Sequence, residues 1–318
     1  MWPELTKEEL IFEHEHDRNC TLCGRTFRNG ETIAFGYDAN NSMQMVCEDC
    51  LSKITPKVKH QHSRRVYKKP SPDDILWRFM DLAKFISLLK EKALYLTRID
   101  QLSDPFECAI GLAEHKAEYD AFYMDFFKYA ISTTPRTNDE PEPTPEYIQE
   151  NAERLLRELA EMNRQHRTTI YVNCWHKNTI ESEAMWNLYV KDLTQGIAIQ
   201  TTYDRLYRAI GQEKMPVIGE VNYIDYSKGT VSINNVQWYK RKSFEHEKEV
   251  RIIHQVHNSK PSQLGIQLPV DLDVLIENVY VSPMAQPWFE DLANDILQKY
   301  GLNKKVIPSQ LNREVFYG

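Results

Sequence analysis

No apolar run in this chain of 318 residues approaches the roughly 20 residues that a membrane-spanning helix needs. Its opening, Met1-Trp2-Pro3-Glu4-Leu5, has neither the basic start nor the hydrophobic stretch of a signal peptide, so a cytoplasmic setting is expected. A Gly-rich phosphate loop of the dinucleotide or Walker type is missing, and so is any internal repeat. Outside a glutamate triplet at 245–249 there is no well-spaced Asp/Glu/His cluster of the kind a metal nuclease requires. The net charge of -7 excludes a wholesale nucleic-acid coat.

What is present is an ordinary soluble composition, 42% hydrophobic and 27% charged, long enough for one large domain and a small one. Four of the six cysteines form two pairs, Cys20-x-x-Cys23 and Cys47-x-x-Cys50, while Cys108 and Cys174 stand alone. Each pair can present two thiolates to one ion from a tight knuckle, and two pairs complete a tetrahedral structural zinc site with no open position for catalysis. Gly24, Gly30, Gly36 and Asn40-Asn41 supply the hairpin turns between them. A redox-active Cys-x-x-Cys is the weaker alternative, because neither pair has a thioredoxin-like strand–helix context. His14 and His16 could replace a ligand, but read better as exposed side chains of a polar lead-in.

From Leu51 to Ser71 the chain has Lys53, Lys57, Lys59, Arg64, Arg65, Lys68 and Lys69, with His60 and His62, and no acidic residue. Such a run is either a solvated linker or a phosphate-contacting segment. The expected organisation is a zinc-binding module over 1–65, a basic linker over 66–74 and an α+β domain over 75–318. Ser71-Pro72-Asp73-Asp74 has the grammar of a helix start, and Ile75, Leu76, Phe79, Leu82, Ala83, Ile86 and Leu89 recur at helical spacing, so a helix is expected over about 72–90. A strand at 93–99, a turn at 102–107, a buried aromatic helix at 119–129 and a loop at 132–145 follow. A second long helix opens at Thr144-Pro145, with Ile148, Ala152, Leu155, Leu156 and Leu159 on its core face. Strands are expected at 168–175, 196–202, 217–226, 248–256 and 277–282, then a helix at 287–300 and a strand at 304–308. Helices early and strands late favour α+β over a doubly wound parallel sheet.

Two regions carry candidate chemistry. If Lys242–Ile253 is a strand, Glu245, Glu247 and Glu249 share one face and Arg251 continues it, a crowding of like charge that suggests a site. The plain alternative is a solvated outer face. The second region, Asn173-Cys174-Trp175-His176 and then Glu181 to Tyr189, puts polar and flat aromatic groups where a strand gives way to a helix, which suits gripping a nucleotide. Met185, Trp186 and Tyr189 at helical spacing read equally as core. Cys174 and His176 as nucleophile and base are a weak option, since two residues on one strand need not reach a shared substrate.

From Leu76 onward the chain resembles a bacterial family of unassigned function. The marks are Asp104-Pro105-Phe106-Glu107, then Met185-Trp186-x-x-Tyr189 before Gly196, then Phe244-x-x-Glu247-x-Glu249-x-Arg251. The order of its chemical elements is similar to the ADP-ribosyltransferase plan of an aromatic-Arg strand, a serine-bearing middle strand and a late Glu-x-Glu strand. Tyr95-Leu96-Thr97-Arg98 supplies the first element on this resemblance, Trp175–Ser182 the second and Glu247-Lys248-Glu249 the third. The resemblance implies NAD as substrate, with Arg98 on the pyrophosphate, His176 or Ser182 orienting ribose or nicotinamide, and Trp186 and Tyr189 beside them. Glu249 would hold the ribose hydroxyl and Glu247 the acceptor. No clear Ser-Thr-Ser run accompanies the middle strand. The implied function is ADP-ribosyl transfer or NAD glycohydrolysis in a toxin or phage-defence effector, its protein or nucleic-acid target chosen by the zinc module and basic segment. The alternative is a non-catalytic zinc-dependent adaptor.

Overall fold

The computed structural model describes residues 19–28, 31–40, 42–61, 67–134, 141–211, 216–231, 233–256 and 263–317. Its elements begin with β1 (Thr32–Tyr37), β2 (Met43–Val46), β3 (Thr55–Gln61), β4 (Ile75–Asp81), α1 (Leu82–Glu91) and β5 (Ala93–Arg98). Then come α2 (Lys116–Thr133), α3 (Pro145–His166), β6 (Ile170–Lys177), α4 (Glu183–Tyr189), β7 (Gly196–Thr202), α5 (Tyr203–Ile210) and β8 (Val217–Glu220). The remainder is β9 (Asn222–Ile224), β10 (Tyr239–Arg241), β11 (Glu249–Gln255), β12 (Gly265–Pro269), α6 (Leu272–Leu275), β13 (Asn278–Val281), α7 (Pro287–Lys299) and β14 (Val306–Ile307). The class is α+β, with strand pairing almost wholly antiparallel in the large sheet.

The chain divides into two compact units, each assembled from three separate segments. Unit 1 takes Met1–Val66, Ser103–Thr168 and Asn222–Lys242; unit 2 takes Tyr67–Leu102, Thr169–Val221 and Ser243–Gly318. A division at 65 and 75 therefore does not follow the contacts, because 103–168 and 222–242 pack with the cysteine-bearing segment. The expected strand over 217–226 is likewise two strands, β8 in unit 2 and β9 in unit 1.

Unit 1 contains the three-stranded sheet β2-β1-β3, the helices α2 and α3, and the parallel pair β9-β10. Gly36 sits where the β1–β3 register shifts, and a Cβ there would lie 2.2 Å from the Thr55 carbonyl oxygen, so no larger residue fits. The basic run is in part the paired strand β3 rather than a linker. His14, His16, His62, Arg64 and Arg65 lie outside the described residues. Helix α3 starts as expected, with Pro145 in its first turn and Thr144 Oγ1 accepting from the Tyr147 N–H at 3.2 Å. Of its expected core face only Ala152 is fully buried. Tyr119 and Phe122 are the buried residues of α2, so that helix is half-exposed rather than internal.

Unit 2 is built on a nine-stranded sheet with the path β12-β5-β6-β4-β7-β13-β14 and with β11 between β6 and β8. One face packs α1, α5, α6 and α7 through Phe85, Leu89, Leu206, Leu275, Phe289 and Leu297, each contributing roughly 1.5–3 kcal/mol by leaving water. The other face is covered by α4, whose Met185 and Trp186 pack on Trp77, Phe79 and Tyr280. The expected helix over 72–90 is a strand followed by a shorter helix. Ile75–Asp81 has both faces covered, Leu76 and Met80 in one cluster and Trp77 and Phe79 in the other. A strand buried on two sides is a continuous apolar run that helical spacing also fits. Its supposed cap is a turn in which Asp74 Oδ2 accepts the Ser71 N–H at 2.8 Å.

Candidate functional site

The cysteine centre is formed in unit 1 by two knuckles. In the first, the Gly24 N–H closes on the Cys20 carbonyl at 2.8 Å, a turn that needs the positive φ of 72° at Gly24. In the second, Cys47 leads a 3-10 turn over Glu48–Lys53 and its carbonyl accepts the Cys50 N–H at 3.0 Å. All four sulfurs, of Cys20, Cys23, Cys47 and Cys50, lie within 4.8 Å of one another. Cys23 Sγ and Cys47 Sγ are 3.8 Å apart, which is the edge of a tetrahedron with metal–sulfur bonds of about 2.3 Å.

The electrostatics fit a shared cation. Burial opposes ionisation of Cys20, yet the backbone N–H groups of Cys47, Cys23 and Leu22 hold it down to about 6. Burial and the surrounding thiols push Cys50 up to about 12, so a thiolate there calls for a cation beside it. Arg25 stands beside them, bonded to Glu31 at 3.0 Å and to Asp49 at 3.2 Å, with its guanidinium also held by Cys47. Phe27, Ile33, Val46 and Ile54 are the small apolar cluster that these knuckles fasten.

The second constellation lies in unit 2, where the sheet forks. Strand β6 is paired along one edge by β11 throughout. Its other edge is shared, β5 pairing at Tyr171–Val172 and β4 at His176–Lys177. Residues 173–175 between them have no strand opposite on that side. Arg78 fills the gap: Nη1 donates to the Cys174 carbonyl at 2.6 Å and to Asn173 Oδ1 at 3.0 Å, while Asn173 Nδ2 donates to the Tyr95 carbonyl at 2.8 Å. Burial pulls the Arg78 guanidinium down in pKa, opposed by Cys174 and Tyr189 nearby.

Across the fork runs a register row, Trp77 opposite His176 and His176 opposite Glu249, on three neighbouring strands. Directly opposite residues point to the same face, so these side chains share one side of the sheet with Cys174 and Arg251. Arg251 has no exposed surface and holds Glu249 at two points, Nε to Oε1 at 2.5 Å and Nη2 to Oε2 at 3.3 Å. His176 Nδ1 lies 2.6 Å from the Glu247 carbonyl oxygen, which makes Nδ1 the protonated nitrogen and leaves Nε2 a buried acceptor with no hydrogen-bond partner. Burial lowers the His176 pKa, so the ring is neutral near pH 7. Tyr189, 40% exposed at the end of α4, bonds Glu247; burial, then the charges of Glu247 and Glu249, raise its pKa well above the usual range and keep the phenol protonated.

The glutamate triplet is not one strand face. Lys242–Glu247 is a 3-10 turn and Lys248 has φ 42°, so the strand starts at Glu249. Glu245 is exposed, whereas Glu247 and Glu249 are buried. Arg98 stands apart: it is opposite Tyr171, five residues along β6 from His176 or about 16 Å at strand rise, and its Nε is bonded to Asp100 at 2.7 Å. Ser182 is the N-cap of α4, its Oγ accepting the Met185 N–H at 3.4 Å. Trp186 is fully buried and donates Nε1 to Glu181 at 2.6 Å, which makes it core. Trp77 is the aromatic residue of that row, hidden in the sequence inside a stretch that reads as helix; its neighbour Arg78 points to the other face, where its guanidinium lies 6.0 Å from the centre of the Trp175 ring.

Unit 2 is thus an α+β unit with a forked sheet and a buried Glu247–Glu249–Arg251–His176 cluster, and unit 1 carries a four-cysteine cluster able to hold a metal ion. No family model and no curated protein matches this chain.

Proposed function

We propose that unit 2 binds NAD and breaks its nicotinamide–ribose bond, passing ADP-ribose to water or to an acceptor hydroxyl, and that the cysteine cluster holds a structural zinc ion. The observation that carries this reading is the row Trp77–His176–Glu249 on three adjacent strands, with Arg78 following Trp77 in its strand. It repeats the order aromatic-Arg, middle strand, Glu-x-Glu on neighbouring strands of one sheet. Arg98 is left with no part in it, since it lies five residues along β6 from His176 and is bonded to Asp100. The neutral His176 offers Nε2 as acceptor to a ribose hydroxyl, and Ser182 has no part because α4 uses it as a cap.

In the step itself the C1′–N bond breaks with its electron pair leaving on the pyridine nitrogen, and positive charge spreads over the ribose. Glu249, fixed by Arg251, stabilises that charge. The acceptor oxygen then bonds to C1′ and Glu247 takes its proton. Zinc fastens a module too small to build its own core and takes no part in the chemistry. Four thiolates carry two more negative charges than the ion neutralises, and Arg25 offsets part of the excess. The basic strand β3 and the residues that follow it favour a nucleic-acid or protein acceptor.

The test is nicotinamide release from NAD by the purified protein, alongside Glu249→Gln. The amide keeps an acceptor for Arg251, so an unchanged circular dichroism spectrum with turnover reduced by at least about 100-fold is expected, the scale of losing one group that stabilises transition-state charge. Full activity in the variant removes the reading. One observation favours a second reading: Glu249 is buried and already paired, as in a structural ion pair. In that case the protein is a zinc-dependent adaptor, with no NAD binding by calorimetry and nucleic-acid affinity that falls steeply with salt.

A further inference from the structure

Unit 1 contains a cavity of about 330 Å³ bounded by α3, the start of α2, the segment Cys108–His115 and Thr230. This volume is at the lower end of small-molecule pockets, and the sequence pattern gives no hint of it. Its walls are aliphatic, with Ile110, Leu112, Leu156 and Leu159 among them.

The polar atoms at its edge are unevenly provided for. Lys116 pairs with Asp120, and Arg164 with Glu161, so those charges cancel locally. Arg167 makes no ion pair among the described residues, and its Nε is buried without a hydrogen-bond partner. The Tyr119 hydroxyl, on a residue 8% exposed, is engaged by Tyr123 and Asn163, and His115 Nε2 lies 3.7 Å from Glu114 Oε1. Arg167 is thus the one charged side chain lining the cavity with no counter-charge among the described residues. A cation left unmatched beside apolar walls is a place where an anionic ligand gains a charge partner.

We propose that this cavity binds a small organic carboxylate on an apolar body, with Arg167 as its counter-charge. The aliphatic walls take the body and Arg167 takes the head. Thr230, which lines the cavity, fixes β3 by giving both its N–H and its Oγ1 hydrogen to the Lys59 carbonyl at 2.9 Å. Occupancy therefore stabilises unit 1 as a whole, including the strand beside the cysteine centre.

The experiment titrates the full chain by calorimetry with octanoate, octanol and octylammonium, and follows Tm with each. Octanoate is expected to bind at one site per chain, to raise Tm, and to bind at least about tenfold more tightly than octanol, the scale of one hydrogen bond to a charged group. Octylammonium should not bind. Arg167→Gln should remove the octanoate advantage while leaving octanol affinity unchanged, and Ala160→Phe, which fills the space from α3, should abolish both. Equal affinity for octanoate and octanol, octanoate binding unaffected by Arg167→Gln, or no binding by any of the three overturns the proposal. Should Ala160→Phe fail to fold, the Arg167→Gln comparison still decides.

Discussion

His176 has its proton placed by one hydrogen bond, and that placement has a cost that varies with pH. In the unfolded chain the ring gains a proton near pH 6.5, its unperturbed value; in the fold, burial keeps its pKa lower. Below pH 6.5 the unfolded state therefore binds more protons, so stability present above that pH is lost as pH falls through it toward the folded value. His166, also lowered mainly by burial, adds to the same slope from unit 1. We expect His176→Gln to flatten, without abolishing, the decline in urea-unfolding stability between pH 7 and pH 5. Identical slopes in variant and parent would show that the ring is not held neutral. Residue identity made His176, Glu247 and Glu249 legible as candidates, since carboxylates and imidazole crowded near strand ends are visible in a sequence. It did not reveal that Arg98 lies away from them. How far an arginine of β5 falls from Glu249 depends on the pairing of β4 and β5 along β6, a long-range fact with no local trace.

Some elements were readable: β7, a β-branched run between Gly196 and Thr202, occupies the very residues expected of it, and α7, with one apolar face, ends one residue short of its expected end. Others were concealed by tertiary context. Strand β4 is buried on both sides, and β12 is a five-residue edge strand ending on Pro269 with no alternating pattern to announce it. The C-terminal strand β14 is only two residues long, too short to be held by its ladder. A buried carboxylate holds it instead. Glu181 accepts from Trp186 Nε1 at 2.6 Å, Ser309 Oγ at 2.6 Å and the Gln310 N–H at 2.8 Å. This role of Glu181 is not legible in the sequence because two of its three donors lie 128 and 129 residues away. Glu181→Gln turns an acceptor edge into a donor facing donors, and should cost about 2 kcal/mol or more. Hydrogen exchange should quicken across Val306–Leu311 while β11 remains protected; unchanged protection there would mean that the carboxylate does not hold the terminus.

At the scale of the molecule, the chain alternates between its two units through six segments, so neither unit can be removed as one piece. Sequence composition suggested otherwise, because the cysteine pairs and the basic run are consecutive while the segments that complete their unit lie far along the chain. Phe35 of β1 packs on Phe122 of α2 with ring centroids 5.5 Å apart and the rings tilted by 55°, and the Lys59 carbonyl of β3 accepts two hydrogen bonds from Thr230. Deleting 1–70 would expose that face of α2 and strip Thr230 of its partner, leaving 103–168 and 222–242 without the sheet on which they pack. Limited proteolysis of the deletion variant should therefore cut within 103–168 and 222–242 well before 169–221. If the cysteine cluster holds zinc as proposed, chelation of the intact protein should give the same order of cuts, since a structural zinc site contributes folding free energy directly. If the truncated chain instead keeps 103–168 as resistant as in the whole protein, residues 75–318 form an independent domain and the cysteine module is an appendage. Matching cuts after truncation and after chelation would place the metal within the folding unit of α2 and α3, and so within the unit that encloses the Arg167 cavity.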